Sequence, residues 1–162
     1  MTKAESNLEK LKESYLDLQK KYGLPDFDNF NKEFGIERAS DVETDFVIRE
    51  IRKIVSEKLS NYLRFVETIL HPINTPMFVF SIIKSIGIKE KDILTEIYTK
   101  LAKIEIRLIE LDLSFVEEKE VIFIRDSYNI WQEIKKDLLD VFGAIQLNLD
   151  NKFEVNNRGY FG

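Results

Sequence analysis

"TEIYTKLAKIEIRLIELDLSF" (residues 95–115) can be parsed in two ways, and the choice decides the fold. In "KIEIRL" and "ELDLSF" apolar and polar residues alternate with period two, and "EVIFI" (120–124) is β-branched and aromatic, so a hairpin is one parse. From Ile97 onward, however, Leu101, Ile104, Leu108, Leu111 and Phe115 step by four and three, a seven-residue helical pattern. The alternation slips phase at Leu108-Ile109, whereas the helical pattern crosses the slip intact. The residues between the two alternating runs are not an Asn-Gly or Asp-Gly turn. The segment therefore reads as helix, and it carries a second apolar stripe through Ala102, Ile106, Ile109, Leu113 and Val116. Two stripes on one helix imply contacts on two sides.

The same period governs the flanking sequence. Leu8, Leu11, Tyr15, Leu18 and Tyr22 mark an amphipathic helix that "GLP" (23–25) ends. Phe27, Phe30 and Phe34 fall on one side of a two-turn helix stopped by Gly35. "SDVE" (40–43) has the form of a capping box and is expected to open a long helix. That helix's stripe, Ile48, Ile51, Val55, Leu59, Tyr62, Val66 and Ile69, runs unbroken to His71-Pro72, where proline removes a donor and restricts its predecessor. Thr75 is expected to cap the next helix with Pro76 at its first position. Residues 76–86 are apolar nearly all round, as for a helix in the middle of a bundle. "SFVE" (114–117) is expected to cap a last helix with the stripe Phe123, Ile130, Ile134, Leu138, Val141 and Ile145. The expected fold is all-α: a single domain, 1–162, built as an up-and-down bundle of four main helices plus short helices. Asn156, Asn157 and Gly159 predict an irregular or small-hairpin tail.

Composition narrows the function. A chain of 162 residues with 44% hydrophobic and 33% charged residues has enough of both for one buried core and a densely ionised surface. With no cysteine there are no disulfides, thiolate metal sites or cysteine nucleophiles, and a cytoplasmic location is expected. The N-terminus carries charges where a signal peptide needs an apolar stretch. "MFVFSIIKSIG" falls well short of the roughly 20 residues a spanning helix requires, so no membrane partner is expected. A net charge of −5 with mixed signs argues against direct nucleic-acid binding. "IREIRK" (48–53) and "KSIGIKEK" (84–91) read as solvated helix faces.

Recognisable chemistry is sparse. One histidine cannot supply the paired Glu-x-x-His motifs of a carboxylate-bridged di-iron bundle. "DFDNF" (26–30) begins like a calcium loop but lacks its ligands and glycine at the fifth and sixth positions, where Phe30 and Asn31 stand. "DVETD" (41–45) suits the first turn of a helix. No metal and no cofactor are expected. Arg64 and His71 stand at i and i+7, where an arginine could hold a phosphate while a histidine moves a proton. Arg-x6-His resembles the loose signature of the HEPN family of small all-helical proteins, many of them dimeric ribonucleases. The resemblance covers these two residues and implies an RNA-cleaving role for them. It departs from the family in Phe65, where a polar residue is usual, and in closing a mid-chain helix. The simpler reading makes His71 a cation at a helix C-terminus.

The leading expectation is a non-enzymatic interaction or assembly protein, a homodimer or a subunit of a larger complex. Its interface is expected at Ala102, Ile106, Ile109 and Leu113, with aromatic anchors at Phe27, Phe30, Phe34, Tyr160 and Phe161. The alternative is the HEPN-like ribonuclease using Arg64 and His71. The third is an accessory subunit of a nucleic-acid-processing complex.

Overall fold

The computed structural model describes residues 3–42 and 46–158, with side chains for 7–42 and 46–151. The protein is all-α, and the described residues contain no strand. Four main helices, α1 (Lys3–Tyr22), α3 (Val47–Leu70), α5 (Ile88–Leu113) and α6 (Glu117–Arg158), are joined by short ones, α2 (Phe27–Phe34), a 3₁₀ helix (Ile36–Asp41) and α4 (Met77–Ile83). The stretch 95–115 is helical up to Leu113, because the side chains that the helical period aligns, Ile97, Leu101, Ile104 and Leu111, are all buried.

The chain forms two compact units, one of Met1–Asn61 with Lys103–Trp131, the other of Tyr62–Ala102 with Gln132–Gly162. In the first unit, α1 ends at Gly23, whose φ of 68° favours a residue without a Cβ. Asp26 caps α2 by accepting from the Asn29 N–H at 3.1 Å, and Gly35, again at φ 68°, closes it. These caps hold an aromatic cluster. The Phe30 ring, fully buried, meets Phe34 at 5.2 Å and Tyr128 at 5.4 Å, both edge to face. Tyr15 meets Phe27 at 5.3 Å and donates its hydroxyl to the Pro25 carbonyl at 2.7 Å. Burial, then the nearby Asp26 carboxylate, pushes the Tyr15 phenol upward, so it stays protonated. Trp131 meets Phe34 edge to face at 6.0 Å, donates Nε1–H to Glu33 Oε2 at 2.9 Å and lies under the Lys58 ammonium, which also donates to the Glu33 carbonyl.

The second unit packs Val66 and Ile69 of α3, Val79 of α4, Leu94, Ile97 and Leu101 of α5, and Ile134, Leu138, Val141 and Ile145 of α6. Phe65 and Phe142 make an edge-to-face pair at 5.7 Å. Asn148 Nδ2 donates to the Ser85 carbonyl at 2.7 Å and ties the chain after α4 to α6.

Several local expectations are corrected. Ser40 does not open α3. It lies in the 3₁₀ helix with its hydroxyl donating to the Glu37 carbonyl, and α3 begins at Val47. Glu43, the last residue of the expected capping box, lies outside the described residues. Ser114 does not cap α6, which starts at Glu117; that carboxylate accepts instead from Tyr22 and Lys21. Pro76 occupies the N-cap of α4 rather than its first helical position, one residue off, and Thr75 makes no cap there. The apolar helix α4 is not enclosed: of its residues only Val79 is buried. The expected irregular or hairpin tail is helical through Arg158, since no Pro or Gly interrupts the run from Gly143 to there and Asn costs a helix well under 1 kcal/mol; Gly159, the last of the expected turn residues, lies outside the described residues.

Candidate functional site

The outer face of α5 follows from its period. With 3.6 residues per turn, Ile106, Ile109 and Leu113 project opposite to the buried Ile104 and Leu111. Their fractional exposures are 59%, 57% and 84%. Ala102, in the other unit, is half-buried. Beyond Leu113 the apolar surface continues through Phe115 and Val116, both exposed. Phe46, just before α3, meets the Phe115 ring edge to face at 5.8 Å. The Arg49 guanidinium lies 4.1 Å from the centre of Phe115 and 5.8 Å from that of Phe46, which covers apolar area while leaving a cation at the rim.

Beneath this rim sits a charged group that sequence reading missed. Glu120, in the first turn of α6, is buried with its Oε2 at 2.6 Å from Nε of Arg52, which is buried as well. Arg52 also donates Nη1–H to the exposed Asp112 at 2.8 Å. Burial raises the Glu120 carboxyl above the ordinary carboxylate range; Arg52 and then Arg49 pull it down without cancelling the shift, and Asp112 adds to it. In sequence, Glu120 looks like one of several acids at a helix start, and Arg52 like part of a solvated basic face. The available signal was spacing: Arg52 stands four residues after Ile48 and three before Val55, and Glu120 stands three before Phe123 and four before Ile124, all core positions. The pair joins α3 to α6 and fixes the segment from which Phe115 and Val116 project.

The remaining expected site residues fall elsewhere. Phe27, Phe30 and Phe34 are buried among Tyr15, Tyr128 and Trp131, so they anchor the unit's own core and cannot serve as docking rings. The reason is geometric: the two-turn helix needs a cover for its rings, and α1 and α6 supply it within the chain. Tyr160 and Phe161 lie outside the described residues. Arg64 and His71 are both exposed on the second unit. The His71 N–H closes α3 on the Glu67 carbonyl at 2.8 Å, and its ring lies edge-on to Tyr98 at 6.2 Å between centroids. It is the backbone of His71, with Pro72 after it, that ends the helix.

A cleft of about 210 Å³ opens beside the stripe between Arg107, Glu110, Ser114 and Lys119, below the usual size of a small-molecule pocket. Arg107 is already held by Asp126 at 3.0 Å. Among the described residues no cluster of His, Asp or Glu is placed to hold a metal ion, and no helix is long and apolar enough to cross a membrane. The chain matches no protein-family model, and neither a curated protein nor a solved structure is significantly similar to it.

Proposed function

We propose that this chain is a non-enzymatic assembly protein that pairs with a second copy of itself through the outer face of α5. The observation that carries the reading is the row Ile106, Ile109 and Leu113, three large aliphatic side chains in water on one helix face. Scattered apolar residues on a surface are ordinary, but a contiguous row extended by Phe115, Val116 and Phe46 marks an interaction site. A two-fold pairing is favoured because one self-complementary patch then covers both copies. The Arg49 cation and the Asp112 carboxylate at the rim offer the polar surround that such interfaces use. With no thiol to protect or oxidise, we place this assembly in the cytoplasm.

Sedimentation velocity over a concentration series tests it. The expected result is a species of twice 19.1 kDa at micromolar protein that dissociates on dilution. A single 19.1 kDa species throughout would refute the self-pairing.

A further inference from the structure

The connection between α3 and α5 presents a second apolar surface, on the second unit, with a different chemistry. Ile73 and Met77 are 81% and 83% exposed, and Phe78, Phe80 and Ile88 are exposed with them. This is not loose chain. Pro72 and Pro76 fix two φ angles, and Asn74 holds the left-handed conformation at φ 52°, which asparagine tolerates. Below, Val79 is buried, the Ser85 hydroxyl donates to the Ser81 carbonyl at 2.8 Å, and Asn148 grips the Ser85 carbonyl. The apolar side chains are thus held outward on an ordered support, so covering them needs little further ordering.

Charge says what covers them. Residues 68–89 contain no Asp or Glu, the longest such run in the chain, where the average composition would place about four. The run's charged groups are Lys84 and Lys89, both exposed, and Lys91 follows. Of the acids nearest in sequence, Glu90 is turned back to accept from the Gly87 N–H at 3.0 Å, while Glu67 and Asp92 flank the run at its ends. A protein partner would tolerate carboxylates at the rim of this patch. An anionic lipid surface would not, because it repels carboxylates, attracts lysines and accepts short apolar side chains below the headgroups.

We propose that the α4 segment, Ile73 to Lys89, is a peripheral docking surface for anionic lipid membranes, with Met77 and Phe78 inserted and Lys84 and Lys89 at headgroup level. The absence of a spanning helix is no obstacle, since a segment that lies on a membrane is short and exposed, whereas one that crosses is long and enclosed.

The test is co-sedimentation with vesicles of phosphatidylcholine alone and of phosphatidylcholine with about one third phosphatidylglycerol, at low and at physiological salt. Wild type should pellet with the anionic vesicles and stay in solution with the neutral ones. Met77→Asp/Phe78→Asp, at exposed positions and with the fold checked by circular dichroism, should weaken binding at least about tenfold. Lys84→Glu/Lys89→Glu should weaken it too, and raised salt should weaken the wild type. Ile109→Glu, on the other surface, should bind as wild type does, which separates this inference from the self-pairing. Two outcomes would overturn the proposal: no wild-type binding to anionic vesicles, or wild-type binding that neither double substitution weakens. In the first case a change of oligomeric state in Met77→Asp/Phe78→Asp would make the segment a contact between proteins.

Discussion

Replacing Arg52 by methionine isolates what the buried ion pair does. The substitution keeps an unbranched apolar stem but removes the cation that stands 2.6 Å from the Glu120 carboxylate. Glu120 then has a nearly fully buried carboxylate whose remaining help is the more distant Arg49. Breaking one side of a buried pair costs about 3–5 kcal/mol, because the surviving charge is left without compensation. Asp112, which also loses a partner, is exposed and adds little. Urea denaturation at neutral pH should therefore show a loss of that size for Arg52→Met. Arg52→Met/Glu120→Leu should recover most of it, since hydrophobic replacement of both partners is often neutral or stabilising. The cost must also depend on pH. The folded-state pKa of Glu120 is raised already in the wild type and rises further without Arg52, so the native state takes up a proton before the unfolded chain does. Stability linked to that proton is fully present below the ordinary glutamate value of about 4.3 and is lost as pH rises through the raised folded value. The penalty of Arg52→Met should shrink as pH falls through that window. A loss under about 1 kcal/mol that does not vary with pH would refute the reasoning.

Other outcomes follow from single residues. Phe30→Ala removes a fully buried ring with two edge-to-face partners and should cost about 3–5 kcal/mol in the same assay. Ile109→Glu alters a side chain that the isolated chain leaves exposed, so thermal melting of the monomer should shift little. In the self-paired state each copy would lose at least half a buried isoleucine, about 2–3 kcal/mol for the pair, and sedimentation should show dissociation strengthened on the order of a hundredfold. His71→Ala and Arg64→Ala, both exposed, should leave circular dichroism, self-association and any RNA-cleaving activity of the pure protein unchanged; cleavage by wild type and by neither variant would favour the ribonuclease reading instead.

The helices were legible because burial and helical period coincide along most of their length. Ile48, Ile51, Val55, Leu59, Val66 and Ile69 of α3 are each buried, as their spacing required. The starts of α3 and α6 were less legible. "SDVE" and "SFVE" have capping composition, but the chain uses Ser40 inside a 3₁₀ turn and leaves Ser114 in a bend, and local hydrogen bonds available to serine do not specify which turn it enters. Composition also failed to tell an enclosed apolar helix from a displayed one. Phe27, Phe30 and Phe34 and Met77, Phe78 and Phe80 look alike as clusters, yet the first group has α1 and α6 over it and the second has water. Nor could charge patterning single out Arg52 and Glu120, because their pairing spans 68 positions of sequence and depends on how α3 meets α6.

Trp131 gives the molecule a built-in optical reporter. It is the chain's one tryptophan, it is buried, and its indole N–H is held by Glu33 beneath the Lys58 ammonium. Its emission should be that of a shielded indole and should shift to the red when α2 leaves α6. The signal comes wholly from the first unit, whereas far-ultraviolet ellipticity sums over every helix in both. Superimposable denaturation curves from the two signals mean that the shared helices α3, α5 and α6 melt as one, and a fluorescence midpoint at lower urea means that the aromatic cluster opens while helix remains.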